Sequence, residues 1–308
     1  MSIRNNINMH DFSHPKIGFI GLGSMGYPMA QRLLQAGFEV TVYDVRREPV
    51  EQLHQEYSAK KAYSIQELAQ DQDVIITMLQ TGEQVRKICL GEHGIYLNSK
   101  PGVIHIDTSS IDIETTRELH ERAELSETRS LDAPVSGGVV AAANGQLTFA
   151  VGGDEATLND VMPIFNTLGK RIVHVGGPGN GQAAKICNNM ILGISMIAVS
   201  EAFTLGKKLG LSPEKFFEFS ANASGQCWSM TSYCPVSGLI ENAPSNHHYK
   251  PGFAAQLMLK DLHLSQQAAE SVNQKTILGQ KAEELYQAFV EQNEEPIDFS
   301  GIIKMIEE

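Results

Sequence analysis

Lys16-Ile17-Gly18-Phe19-Ile20-Gly21-Leu22-Gly23-Ser24-Met25-Gly26 decides the fold. A short apolar run ends in G-x-G-x-x-G, and a helix pattern through Met29, Leu33 and Leu34 follows until Gly37 closes it. In that strand-to-helix setting the glycines permit a tight turn and let a pyrophosphate approach backbone N–H groups at a helix N-terminus. Residues 39–43, rich in β-branched and aromatic side chains, predict the second strand, and Asp44 stands at its end, 18 residues beyond Gly26. A carboxylate there can bind an adenosine ribose 2′-hydroxyl and would repel a 2′-phosphate, which makes NAD the expected cofactor. Arg46 and Arg47 pull the other way, because a guanidinium can accept a 2′-phosphate. The plain alternative is a glycine-rich turn that binds nothing.

Working outward, strand and helix patterns alternate. Residues 73–78 and 103–107 read as further strands, and 147–151 and 172–175 as two more. Ser64 to Glu67 and Thr81 to Gln84 have capping-box spacing, and a helix is expected to begin near Asp112. Apolar runs without clean alternation suit a parallel sheet covered on both faces. The rhythm predicts a doubly wound α/β domain over residues 16–177, behind an N-terminal extension at 1–15. Gly176-Gly177-Pro178-Gly179-Asn180-Gly181 is then the boundary. Beyond it strand signals nearly vanish, and 178–308 reads as all-helical. Residues 183–209 predict one long helix, apolar on most faces in its middle and therefore buried all round in a core or subunit interface. Ser212-Pro213 opens another helix, and 253–272 and 279–292 read as two more.

The chain has 308 residues, 42% of them apolar and 19% charged, with a formal net charge of −12. This is globular composition, and its acidic balance argues against a nucleic-acid partner, whose phosphates need Lys and Arg. The four cysteines, Cys89, Cys187, Cys227 and Cys234, form no C-x-x-C pair, and reduced thiols in a cytoplasmic compartment are expected. Residues 1–15 are polar and do not read as a secretory signal. The longest apolar stretch, 190–205, is interrupted by Glu201 and is expected to be a buried helix rather than a membrane span. No histidine stands in metal-ligand spacing, so no metal site is expected. His105 and His174 fall within strands as satisfied core residues, and Cys187 is expected to pack.

Two further segments carry chemistry. In Asp132-Ala133-Pro134-Val135-Ser136-Gly137-Gly138, a hydroxyl and successive glycine N–H groups can form a nest for a carboxylate, or merely an ordinary loop. In Gly181-Gln182-Ala183-Ala184-Lys185-Ile186-Cys187-Asn188-Asn189, Lys185 and Asn189 are four apart and share a helix face. A lysine desolvated in a cleft can take the proton of an alcohol, whereas an ordinary surface lysine would snorkel into solvent.

Together these segments resemble the β-hydroxyacid dehydrogenases, from Lys16 to near the C-terminus. The carriers are GFIGLGSMGYPMA at 18–30, DAPVSGG at 132–138, GQAAKICNNM at 181–190, and a C-terminal set. That set comprises Gly225-Gln226-Cys227-Trp228-Ser229, Tyr233, Pro235-Val236 and Leu259-Lys260-Asp261-Leu262, with Cys-Trp-Ser and Pro-Val looking like the hydroxyisobutyrate branch. The resemblance implies a Rossmann-type domain followed by an all-α domain, as in 6-phosphogluconate-dehydrogenase-like folds. It implies Lys185 as the catalytic lysine, Ser136, Gly137 and Gly138 as the substrate-carboxylate loop, and Asn189 as the substrate-positioning residue. It places Leu79, Gln80, Gln84, Ser110 and Lys260 at the cofactor, beside Gly21, Leu22, Gly23, Ser24, Met25, Gly26 and Asp44. Gln80 stands where proline is common and Ser110 where threonine is common. The implied reaction is NAD-dependent oxidation of 3-hydroxyisobutyrate, a valine-catabolism step, by a homodimer or homotetramer acting on a small β-hydroxyacid with no membrane partner. Reduction of a related semialdehyde, tartronate or succinic, is the alternative within the class; a non-catalytic dinucleotide sensor is the alternative outside it.

Overall fold

The computed structural model describes residues 14–293 and 295–307. Residues 1–13 of the expected N-terminal extension lie outside the described residues. The chain divides into two compact units, the first ending at Gln182 and the second starting at Ala183. This break falls later than the glycine-rich boundary read from the sequence. The N–H groups of Gly179 and Gln182 both donate to the buried Asp132 carboxylate at 2.9 Å, which ties that segment into the first unit.

The first unit holds strands β1 (Ile17–Ile20), β2 (Val40–Tyr43), β3 (Lys60–Lys61), β4 (Val74–Thr77), β5 (Ile104–Asp107), β6 (Arg129–Asp132), β7 (Val135–Ser136), β8 (Leu147–Gly153) and β9 (Gly169–Gly176). Their order in the sheet is β3-β2-β1-β4-β5-β6-β8-β7, with β9 pairing on β8. The six strands from β3 to β6 run parallel. Every residue of β1, β4 and β5 is buried, as expected where helices cover both faces. One apolar cluster gathers Phe19, Met29, Leu33, Ile76, Ile106, Phe149 and Phe165, and a second gathers Ile20, Leu68, Ile75, Val85 and Tyr96.

Helix starts follow local chemistry. Ser64, Thr81, Asp112 and Asp154 each accept from the N–H three residues on. β8 runs antiparallel to both β6 and β7, and the two-residue strands β3 and β7 carried no sequence signal. Only two residues separate β6 from β7, and the two pair in one antiparallel register with successive parts of the longer β8.

Among its described residues the second unit has no strand, only an isolated bridge between Ala254 and Asp298. Its main helices are Asn180–Lys208, Pro213–Ser220, Ala255–Ser271 and Ile277–Glu291, the first beginning within the last residues of the first unit. Met196, Met258, Leu262, Tyr286, Phe289 and Phe299 form its core. Asp298 is buried, and its carboxylate accepts from Gly252 N–H, Phe253 N–H, the Tyr233 hydroxyl, and the Ser300 N–H and hydroxyl. Within the single chain the long helix is not buried all round, so the core alternative does not hold for every face: Ile191 and Leu205 are 62% and 60% exposed. By length and composition it is also apolar enough to cross a membrane, although Met196, Phe203 and Ser200 are packed inside the unit.

Candidate active site

The strand order reverses between β1 and β4, and the carboxyl ends of strands flanking such a switch point form the crevice where doubly wound sheets bind ligands. Gly21 follows β1 with φ +95°, and a Cβ there would lie 2.3 Å from the Met78 carbonyl oxygen that follows β4. A Cβ at Gly26 would meet the Gly21 carbonyl oxygen at 1.9 Å. Gly23 differs: a Cβ there meets nothing within 4 Å, so its backbone faces open space. Tight turn, free approach and close helix packing are the three roles that pyrophosphate binding assigns to these glycines. Leu22, Ser24 and Met25 complete the turn into the helix Gly26–Gln35. The loop therefore fits a dinucleotide.

Asp44 follows β2, and its Oδ2 accepts from Leu22 N–H at 2.7 Å while Oδ1 accepts from Arg46 N–H at 2.8 Å. It thus braces the glycine loop, and carboxylate oxygens with two acceptor sites each retain capacity for a ribose hydroxyl. The two arginines separate. Arg47 donates to the Ala62 carbonyl and stacks on the Tyr63 ring, whereas Arg46 stays beside Asp44 and reaches the Leu22 carbonyl.

Leu79 and Ser110 follow β4 and β5, neighbours in the sheet. Leu79 N–H donates to Ser109 Oγ at 2.9 Å. Gln84 lies in the helix Gly82–Leu90, capped by Thr81, and its Oε1 accepts from Gln80 N–H at 3.1 Å. A proline at 80 would have no hydrogen to give, so the Gln80 departure comes with its own loop-closing bond. Beneath these loops, Thr77 Oγ1 and Ser109 Oγ both donate to Asp107 Oδ1. His105 is fully buried between the Tyr96 hydroxyl and Thr77, and burial lowers its pKa to about 3. It is a neutral core residue, as read from the sequence; His174 bonds the Gly153 carbonyl.

Ser136 ends β7 and is exposed, followed by Gly137 at φ +132° and Gly138 at φ +72°. Side chains other than glycine rarely adopt two such angles in succession, so the turn beside the Ser136 hydroxyl depends on both.

In the second unit, burial lowers the pKa of Lys185, Asp261 opposes that shift, and Lys260 adds to it. Asn189 is buried one turn further along, its Nδ2 donating to Asp261 Oδ2 in a short bond. Asp261 is itself buried, with Lys260 Nζ 3.6 Å from its other oxygen. One carboxylate therefore orients the Asn189 amide and sets the charge around Lys185. The sequence reading noted Asp261 only as a neighbour of Lys260; the 72-residue separation of its bond to Asn189 hid the pairing.

Residues 16–176 match the NAD-binding domain of 6-phosphogluconate dehydrogenase, and residues 179–306 match the NAD-binding domain of NADP-dependent 3-hydroxyisobutyrate dehydrogenase. A probable mitochondrial 3-hydroxyisobutyrate dehydrogenase of Arabidopsis thaliana is 41% identical, over 94% of this chain and 86% of that protein. The chain belongs to the 3-hydroxyisobutyrate dehydrogenase family. The human mitochondrial 3-hydroxyisobutyrate dehydrogenase is 39% identical, over 96% of this chain and 88% of that one. A solved Mycobacterium tuberculosis 3-hydroxyisobutyrate dehydrogenase with L-serine superposes with a TM-score of 0.91 at 39% identity, covering 96% of this chain and 100% of that one.

As a member of this family the chain is an NAD-binding oxidoreductase with an N-terminal Rossmann domain and a helical C-terminal domain. All four cysteines are free thiols, but Cys187 corrects the sequence reading: it is exposed, because the helix turns that position outward between Lys185 and Asn189. Among the described residues no group of three or more His, Cys, Asp or Glu side chains is arranged to hold a metal.

Proposed function

We propose that this enzyme oxidises 3-hydroxyisobutyrate to methylmalonate semialdehyde with NAD, with Lys185 as general base. The observation that carries the reading is the Lys185–Asn189–Asp261 set: a lysine of lowered pKa beside an amide oriented by a buried carboxylate. NAD, when bound, supplies the hydride acceptor. The residues that would hold it are the 21–26 loop, Asp44, and the loops bearing Leu79, Gln80, Gln84 and Ser110; Lys260 is assigned to it by the family resemblance alone.

Ser136 and the N–H groups of Gly137 and Gly138 hold the substrate carboxylate. Asn189 presents its remaining amide hydrogen to the substrate hydroxyl, its other one being held by Asp261. Lys185 Nζ takes the hydroxyl proton as the carbinol hydrogen leaves with its electron pair, and the carbinol becomes a carbonyl. In reverse the same ammonium returns the proton. L-serine, present in the M. tuberculosis structure, is also a 3-hydroxy carboxylate, which supports that substrate class.

Asp44 supports NAD over NADP, because only Arg46 of the two arginines stays near it. The valine-catabolic role follows from the substrate. The exposed apolar side chains Ile191 and Leu205 on the long helix support a homodimer or larger assembly.

The test is the initial rate of NADH formation with racemic 3-hydroxyisobutyrate, beside NADP and a panel including tartronate- and succinate-derived hydroxy acids. A kcat/KM above about 10⁴ M⁻¹s⁻¹ with NAD, well ahead of the panel, is the expected result. Turnover of only another acid would replace the substrate and keep the chemistry. NADH binding without turnover of any acid would favour a sensor.

A further inference from the structure

Gln182 is fully buried, three residues before Lys185 in the same helix. Its Nε2 donates to the Ser109 carbonyl at 2.7 Å, and its Oε1 accepts from Ile111 N–H at 3.3 Å. These bonds bracket Ser110 on both sides. A carboxamide carries the same donor and acceptor as a peptide group, so Gln182 completes this loop as a neighbouring strand would. β5 itself ends at Asp107, three residues before Ser110.

The backbone of Gln182 is held just as firmly. Its N–H donates to Asp132 Oδ2 at 2.9 Å, while Asp132 Oδ1 accepts from Gly179 N–H and faces His120 Nε2 at 3.0 Å. His120 Nδ1 lies 2.7 Å from Ser130 Oγ. On the loop side, Ser109 Oγ accepts from Leu79 N–H and donates to Asp107 Oδ1. A chain of hydrogen bonds therefore runs from Leu79 through Ser109 to Gln182, buried at its Gln182 end. It joins the loops after β4 and β5, at the cofactor crevice, to the first turn of the helix that carries Lys185.

We propose that Gln182 is a positioning residue, whose carboxamide holds the Ser109–Ser110–Ile111 segment in register with the start of the Lys185 helix. Cofactor loop and the first turn of that helix then keep one geometry. The inference rests on Lys185 being that base, and it deepens the proposed function by assigning what holds the cofactor loop against the first turn of the Lys185 helix. A purely structural glutamine would affect melting temperature alone.

The test uses the full chain with two substitutions. Gln182→Met keeps the side-chain length and removes both hydrogen bonds. Gln182→Glu keeps the shape, and its protonated acid reproduces both bonds while its ionised form sets negative charge against the Ser109 carbonyl. Melting temperature, NADH Kd by fluorescence titration, and kcat and KM are measured, the kinetics well below melting. For Gln182→Met, NADH Kd is expected to rise at least fivefold and kcat to fall at least tenfold in the folded protein. For Gln182→Glu, NADH affinity relative to wild type is expected to recover as pH falls. Asp107, Asp132 and His120 belong to the same network and are present in both proteins, so the wild type over the same pH range is the reference.

A folded Gln182→Met protein with NADH Kd or kcat within twofold of wild type would overturn the proposal. Should that variant fail to fold, a Gln182→Glu ratio flat with pH would overturn it instead. NADH affinity is read without any hydroxy acid, so an error in the substrate assignment would appear in the wild type and leave this comparison intact.

Discussion

Replacing Asp261 with Asn tests whether one carboxylate both orients Asn189 and holds up the pKa of Lys185. The variant keeps an oxygen that can accept from Asn189 Nδ2 but loses the charge. Hydrogen bonds to charged groups contribute about 1.5–3 kcal/mol and neutral ones about 0.5–1.5 kcal/mol, so roughly 1–1.5 kcal/mol of orientation is lost. The Asp261 side chain is only 8% exposed, and solvent screening does not reduce that figure much. At about 1.36 kcal/mol per tenfold, kcat is expected to fall about 5- to 13-fold. The pH dependence has a definite sign. Burial and Lys260 lower the Lys185 pKa, and Asp261 opposes them. Without that charge the pKa falls further, and the neutral base persists to lower pH. The acid limb of kcat/KM for oxidation should therefore move to lower pH, measured with saturating NAD from about pH 5.5 to 9.5. Melting temperature serves as the control for folding, and NADH Kd is measured beside it because Asp261 also neighbours Lys260. An acid limb that stays in place, or moves to higher pH, would refute the electrostatic argument.

Other expectations follow from the same geometry. Lys185→Ala should lower kcat by about 10²–10⁴-fold, the usual contribution of a general base, with NADH affinity near wild type in a titration; a near-normal kcat would remove Lys185 from its role. Asp44→Ala should reduce kcat/KM with NAD at least about tenfold more than with NADP, since the ribose acceptor is lost while Arg46 remains; equal losses would count against the specificity argument. Gly23→Ala should leave the melting temperature within about 1 °C, because a Cβ there meets nothing within 4 Å, yet weaken NADH binding about tenfold or more by filling the approach to the loop. Gly26→Ala should instead lower the melting temperature by roughly 4–10 °C, the cost of forcing a Cβ against the Gly21 carbonyl. Calorimetry beside fluorescence titration separates the two glycines, and matching effects in both would contradict their assigned roles.

Local rules reached far in this chain because its first unit is built from short-range signals. The 21–26 glycines, the buried strands on either side of them, and the caps Ser64, Thr81 and Asp112 are decided by neighbours a few residues apart. Asp44 was legible because it follows a strand at the spacing a ribose requires, and Lys185 and Asn189 because 3.6 residues per turn put them on one face. Even so, the capping boxes closed one residue away from the expected donor: Glu67 accepts from Tyr63 N–H, and Gln84 from Gln80 N–H.

What the sequence alone determined is thus the set of elements written in periodicity, glycine spacing and caps. The tertiary structure decided the rest, because it rests on hydrogen bonds between residues far apart in the chain. β3 and β7 are two-residue strands that exist only through their partners β2 and β8. Asp132 reads as the end of a strand, yet it anchors Gly179 and Gln182, 47 and 50 residues on. Asp261 lies beside Lys260 in sequence, yet it sets the environment of Lys185 and Asn189. No periodicity records such pairs, since a buried carboxylate or amide is satisfied by whichever groups the fold brings within reach.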